Sequence, residues 1–384
     1  MMVKLEEVVM KISGNEDRFT TDLEYYLAGE HYESERIAIY KKGIIKDNLG
    51  VLGFKFHFPF KAGDTIFMSR NPHLKKAGMV TYDGICSDTS YILRTRDNNI
   101  LNERFLPLVL QNDRFWRWFE ENKSGSVNYL LNWKSLKEYE FDLPPIEEQL
   151  RIADIAWAVE ETRVAYERMI AATDDLVKSQ FIERFGAPGT DPYGWGITTL
   201  GECCELNPRR PKDINTDVDY SFVAMPSVSE NGQIDTSIER PYAEVCKGFT
   251  YFAEEDVLFA KITPCMENGK GGVAKGLKNG VGFGSTEFHV LRPIKGISDP
   301  YWLYIITKFP KFRSDAEKVM TGTGGQRRVP ITYLSEYRIA LPPIDLQEQF
   351  ATFVRQSDKS KFELEQALAE LNATYKRIIT ENLC

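Results

Sequence analysis

One heptapeptide pattern occurs twice, and it constrains the fold more than anything else in the chain. Leu143-Pro144-Pro145-Ile146-Glu147-Glu148-Gln149 recurs as Leu341-Pro342-Pro343-Ile344-Asp345-Leu346-Gln347, 198 positions later. Proline in a first helical turn forfeits no hydrogen bond, and carboxylates there meet the positive end of the helix dipole. Each copy therefore starts a helix. Behind the first, Ile152, Ile155, Val159, Thr162, Tyr166, Met169, Thr173 and Leu176 step alternately by three and four, the spacing of a heptad seam. Behind the second, after Phe350 and Val354, the seam resumes at Leu364, Leu368, Leu371, Tyr375 and Ile378. About 37 residues at 1.5 Å each make a rod of roughly 55 Å. An amphipathic rod needs a partner, so the two are expected to pack antiparallel, with Leu368 facing the stripe from Ile155 to Met169.

The repeat reaches beyond the rods. Asp64-Thr65-Ile66-Phe67-Met68 before Asn71-Pro72 matches Asp256-Val257-Leu258-Phe259-Ala260 before Thr263-Pro264, each a short strand running into a loop. Gly78-Met79-Val80 matches Gly272-Val273-Ala274, and the stretch ending Leu93-Arg94 matches the one ending Leu291-Arg292. From there to the prolines the halves are expected to hold a constant offset of 198, which sets Lys123-Ser124-Gly125-Ser126 opposite Thr321-Gly322-Thr323-Gly324 and Asn128 opposite Gln326. Each globule mixes short strands, such as an alternating 54–58, with a few helices and many Gly, Pro and Asn loops. The fold class is α+β: two similar globular domains separated by two long helices that form an antiparallel coiled coil, a pseudo-twofold internal repeat. The expected division is 1–142, first globule; 143–186, first helix; 187–340, second globule; 341–384, second helix.

Composition matters here mainly through charge. The net charge of -8 reads poorly for a nucleic-acid binder until it is divided by region. Five basic residues face nine acidic ones over 143–186, and five face seven over 341–384, so six of the eight excess negatives lie on the rods. The globules are nearly neutral, which leaves room for local basic loops. No apolar run approaches the roughly 20 residues that span a bilayer and no signal-peptide pattern opens the chain, so a cytoplasmic protein is expected. Cys86, Cys203, Cys204, Cys246, Cys265 and Cys384 form no C-x-x-C and pair with no histidine at metal spacing, so they are expected to be buried free thiols without zinc. Phosphate-binding and dinucleotide-binding glycine motifs are absent. Asp191-Pro192-Tyr193 lacks the second proline of the amino-methyltransferase motif. The histidines His31, His57, His73 and His289 are scattered. Neither cofactor, metal nor catalytic constellation is indicated.

Together, the two L-P-P-I-(E/D)-x-Q helices, the D-x-(I/L)-F strands and the glycine loop with Gln326-Arg327-Arg328-Val329 make the whole chain resemble the DNA specificity subunit of type I restriction-modification systems. The resemblance implies a non-catalytic recognition subunit. Each globule would be a target-recognition domain reading one half of a bipartite, asymmetric site in double-stranded DNA. The coiled coil would set the spacing and bind two methyltransferase subunits, in a complex that a restriction subunit can join. The first globule departs from the pattern, with Ser124-Gly125-Ser126-Val127-Asn128 where the second has the fuller glycine loop.

Base edges are read by Arg, Lys, Asn and Gln, and phosphates are met by Lys and Arg. The candidate DNA contacts are Arg70, Asn71, His73, Lys75 and Lys76 in the first globule. In the second they are Arg209, Arg210 and Lys212, Lys261 and Lys270, and Gln326, Arg327 and Arg328. Two rival readings remain. A DNA-modifying enzyme with an unrecognised site would transfer methyl groups as the purified chain alone; a coiled-coil protein scaffold without DNA binding would give no salt-dependent DNA shift.

Overall fold

The computed structural model describes residues 1–71, 74–123 and 129–383. The chain divides into two compact units, 1–169 with 364–384, and 170–363. Each holds one globule together with a stretch of both long helices, Ile146–Phe185 and Ile344–Leu383.

In the first unit a five-stranded sheet runs Val9–Ile12, Ser90–Thr95, Thr65–Met68, Ala77–Val80, Ala38–Ile39, antiparallel until its last, parallel pair. A four-stranded sheet runs Gly43–Ile44, Tyr25–Leu27, Gly84–Ser87, Phe56–Phe60. The second unit repeats the plan: Cys204–Leu206, Phe288–Pro293, Val257–Ala260, Gly271–Val273 in one sheet, and Glu239–Pro241, Asp219–Val223, Val281–Gly284, Thr250–Ala253 in the other. In both units a two-stranded ribbon, Met2–Lys4 with Glu140–Asp142 or Ile197–Thr199 with Arg338–Ala340, leads into the double proline. The strand expected at 54–58 runs instead from Phe56 to Phe60, with Phe54 exposed. It tolerates Pro59 because it is an edge strand, where one missing donor is harmless.

The aspartate of each D-x-(I/L)-F segment has a specific task. Asp64 accepts the Lys61 N–H at 2.9 Å and receives Arg94 at 2.7 and 3.0 Å. Asp256 accepts the Ala253 N–H at 2.7 Å and receives Arg292 at 2.8 and 2.7 Å. A buried carboxylate closes the turn before the strand and is neutralised by an arginine from the neighbouring strand, a forked arrangement that suits guanidinium geometry. Beneath, Phe67 meets Phe115 edge-on at 5.8 Å, and Phe259 meets Phe312 in the same way at 5.8 Å.

The glutamines of the heptapeptides join globule to helix. Gln149 is fully buried; it accepts the Asn102 N–H at 2.9 Å and donates to the Ile100 and Pro144 carbonyls at 2.9 and 2.8 Å. Gln347 accepts the Asp299 N–H at 3.0 Å and donates to Ile297 and Pro342 at 3.0 and 2.8 Å. These pairings correct the constant offset: Asn102 corresponds to Asp299 and Phe115 to Phe312, a difference of 197, before 198 returns at Leu136 and Leu334. One residue is lost between the strand and the helices because its loop length is free, whereas the glutamine contact is not.

Within each unit the two helical stretches run antiparallel. In the first, Arg151 reaches Asn382 at 3.1 Å and the Arg163 guanidinium lies 5.3 Å from the Tyr375 ring. In the second, Lys361 reaches Asp174 at 2.7 Å and Phe181 meets Phe350 at 5.6 Å. On the second helix the burial can be read position by position. Leu364, Leu368, Leu371, Tyr375 and Ile378 are all partly buried, and the apparent gap after Val354 is filled by Ser357 and Lys361, both buried.

The first helix corrects the expected seam. Ile152 and Val159 are buried, and Tyr166 and Ile155 partly so, but Met169 is 52% and Leu176 50% exposed. The second line of the buried stripe falls one residue later, at Ala156, Arg163 and Val177, with Ile170 partly buried on the same line. A helix packed against a globule as well as a partner buries a face wider than two heptad positions. Ala153 and Ala156, both fully buried, let the backbone approach the globule and turn that face away from the larger apolar residues.

Candidate nucleic-acid interface

The glycine loop of the second unit is a hairpin. Thr321 and Arg328 exchange backbone hydrogen bonds at 3.0 and 2.8 Å, while Gly322, Gly324 and Gly325 turn the chain at φ 124, 60 and 76°, angles that side chains resist. Its return arm lies beside the segment leaving Val257–Ala260: Thr263 N–H donates to Arg327 O at 3.0 Å, and Val329 N–H to Lys261 O at 2.9 Å. Lys261, Gln326, Arg327 and Arg328 thus come together on one platform. Gln326 is exposed, and Val329 is buried as the anchor of the arm.

The platform holds its arginines with acids that the sequence did not single out. Arg328 forks onto Glu287 at 2.9 and 2.8 Å and donates to Gln326 O at 2.9 Å. Arg327 stands 3.4 Å from Glu317 and 3.6 Å from Glu267. Hydrogen bonds from Arg328 hold the Glu287 carboxyl below its usual range, and burial pushes the Lys261 ammonium down while Glu287 opposes that. Around Lys261 and Arg328 one carboxylate meets two cations, and Arg327 adds a third cation beside two further acids, so the platform holds its cations in a balanced set of ion pairs.

Beneath it, His289 is 5% exposed. Its Nε2 meets the Val329 carbonyl at 2.9 Å, so Nε2 carries the proton, and Nδ1 accepts from the Asn207 amide at 3.2 Å. Burial lowers its pKa from 6.5 to about 4, so the ring is neutral. The repeat equates His289 with Tyr91, whose hydroxyl donates to Leu131 O at 3.1 Å, and Leu131 with Val329. Two unlike side chains therefore support the same carbonyl. Alignment of the halves at 198 is the signal that could have singled out His289, which looks merely scattered in the sequence.

The first unit builds the same platform. Leu131 N–H donates to Ser69 O at 3.0 Å, Asn71 N–H to Tyr129 O at 3.0 Å, and Ser69 N–H to Thr89 O at 2.8 Å. Arg70 is exposed on it, and Asn71 is left-handed at φ 47°. His73 and residues 124–128 lie outside the described residues.

Other candidates sit apart. Lys75 pairs with Glu35 at 2.5 Å and Lys76 donates to Gly29 O at 2.6 Å. Lys270 approaches Met225 O at 3.5 Å. Arg209 and Lys212 are exposed, and Arg210 donates to Cys246 O at 2.8 Å and lies 5.3 Å from the Tyr242 ring. Among the described residues no group of three His, Cys, Asp or Glu could hold a metal, and no helix is long and apolar enough to cross a membrane. Cys86, Cys203 and Cys204 are buried as expected, and burial pushes the Cys203 and Cys204 thiols up to about 11 and 12, but Cys246 and Cys265 are only half-buried because they sit at a helix end and in a loop, and Cys384 lies outside the described residues.

The fold is thus a duplicated α+β module, each copy presenting a loop platform and tied by a buried glutamine to paired helices. The chain belongs to the type I restriction modification DNA specificity domain family, whose profile matches residues 1–170 and 192–373. It is 38% identical over 188 residues to the type I restriction enzyme EcoEI specificity subunit of Escherichia coli, covering 48% of this chain and 31% of that protein. It is 41% identical over 161 residues to the EcoAI specificity subunit of the same organism, covering 41% and 27%. The match thus spans less than a third of either relative. In fold, the chain is similar to the type I restriction-modification S subunit from M. genitalium, with a TM-score of 0.56 at 13% identity, covering 100% of this chain and 96% of that one. A chain from a structure of a type I R-M system gives 0.50 at 19%, covering 100% and 97%.

Proposed function

We propose that this chain is the sequence-specific DNA-recognition subunit of a type I restriction-modification complex. Each globule reads one half of a bipartite, asymmetric site, and the helices dock methyltransferase subunits, with a restriction subunit as a further partner. The chain itself recognises and does not catalyse. The observation that supports this best is the platform built twice, with the same backbone pairings but different side chains: Arg70 and Asn71 in one copy, Lys261, Gln326, Arg327 and Arg328 in the other. Equal frames carrying unequal side chains suit two different half-sites, since base edges discriminate through the side chains offered to them. The acidic helices repel a phosphate backbone and suit protein partners. The test is methylation mapping with the full chain and its methyltransferase subunits. Exchanging residues 321–329 for the loop of a relative should change one half-site and leave the other. A change in both, or in neither, refutes the assignment of one half to each globule.

A further inference from the structure

Two places that the repeat makes equivalent are built differently, and the difference opens a cavity. In the second unit Lys361 is 4% exposed and its ammonium lies 2.7 Å from Asp174 across the paired helices. Tyr304, also 4% exposed, and Lys308, which donates to Glu230 O at 2.5 Å, both lie within electrostatic reach of Asp174 and help to fill the space.

In the first unit the repeat sets Arg163 where the second has Lys361, and Asn372 where it has Asp174, both at 198. The short helix Leu106–Gln111, aligned at 197, offers Pro107 and Gln111 where the other offers Tyr304 and Lys308. A proline ring and an amide replace a phenol and a lysine stem. A cavity of about 430 Å³ results, lined among others by Arg36, Lys75, Gln111, Arg163, Asn372 and Lys376. That volume suits a small molecule.

Charge decides what kind. Arg36 and Arg163 are each 7% exposed, and both pair with a single buried carboxylate, Glu160, at 2.8 and 3.1 Å. Arg36 also reaches Glu167 at 2.8 Å, but that side chain is 44% exposed, and those of Glu35 and Asp113 are 61% and 49% exposed. Four cations and four carboxylates meet here, but three of the acids stand at the wet rim, so the deep wall itself sets two guanidinium groups against the one buried carboxylate of Glu160. The Nε–H of Arg163 is buried without a hydrogen-bond partner among the described residues, a donor left open to an acceptor. Two residues of the rim, Glu35 and Lys75, hold left-handed backbones at φ 59 and 48°, a strain that accumulates at functional sites.

We propose that this cavity binds a small anion through a phosphate or carboxylate group, which takes against Arg163 the place that Asp174 takes against Lys361. The site is independent of DNA reading. Full-length protein is titrated calorimetrically with inorganic phosphate and with succinate, at constant ionic strength in a chloride background, beside the variants Asn372→Asp and Asp174→Asn. Asn372 is exposed, so the first variant should fold, and it installs the carboxylate that the second unit already has. Saturable phosphate or succinate binding, weakened at least tenfold in N372D and unchanged in D174N, supports the site; whichever probe binds names the group. No binding above the chloride background, or equal binding in N372D, overturns it. So does a loss of DNA affinity in N372D that matches its loss of phosphate affinity, because the anion would then be a backbone phosphate.

Discussion

Replacing Gln347 by leucine should be among the most damaging single changes in the second unit. The side chain is fully buried and satisfies three backbone groups: the Asp299 N–H at 3.0 Å, and the Ile297 and Pro342 carbonyls at 3.0 and 2.8 Å. Leucine fills nearly the same volume, so packing changes little, but all three groups lose this partner where water does not replace it. An orphaned buried group costs about 1–3 kcal/mol. Carbonyls keep a second lone pair and sit at the low end, so the sum is about 4 kcal/mol, against a total stability of about 5–15 kcal/mol for a domain. Asp299 also caps the helix Pro300–Lys308, accepting from Tyr301 and Trp302 N–H, so the loss should loosen the start of that helix. Urea unfolding of the full chain, followed by circular dichroism, measures the cost. Gln347→Glu separates volume from hydrogen bonding. It keeps the acceptor but turns a second oxygen toward two carbonyls, so it should be at least as destabilising at neutral pH and recover as acid protonates the carboxyl. A leucine variant within about 1 kcal/mol of the parent would refute the role given to this glutamine.

Three further outcomes are expected. His289 has a folded pKa of about 4 against a usual 6.5, so between these values only the unfolded chain takes up the proton. Stability present above pH 6.5 should therefore fall by about 3 kcal/mol on acidification to pH 4, and His289→Gln should flatten that part of the profile. Lys361→Met leaves Asp174 without its 2.7 Å partner; because Asp174 is 34% exposed the cost should be about 1–2 kcal/mol, and adding Asp174→Asn should recover most of it in a double-mutant cycle. Neutralising Lys261, Arg327 and Arg328 together should flatten the salt dependence of DNA binding by about one unit for each phosphate that these side chains cease to neutralise, measured by fluorescence anisotropy; an unchanged slope removes this platform from the interface.

The helix starts and the duplication were legible because both rest on local patterns. Proline pairs, first-turn acids and three-four spacing act within a few residues of one another. The first helix shows where such reading stops. Met169 and Leu176 fit the heptad and are exposed, while Arg163 is buried, because the orientation of that helix is decided by what its alanines touch. The candidate loops were read from the sequence as regions, yet their members differ in ways that no spacing records. Gln326 is exposed at the hairpin tip, whereas Lys75 is bound to Glu35, 40 positions away.

By itself the sequence determined that the chain is built twice and that each copy ends in a long helix. Only the tertiary structure decided which charges are free. Glu287 reaches Arg328 across 41 positions, Asp174 reaches Lys361 across 187, and Arg36 shares Glu160 with Arg163. The cavity likewise is lined by Gln111 and Asn372, unremarkable in sequence, which stand where the second copy has Lys308 and Asp174. Helix and strand patterns are set by neighbours along the chain, whereas the partner of a charge and the emptiness of a space depend on residues that meet only after the chain has folded.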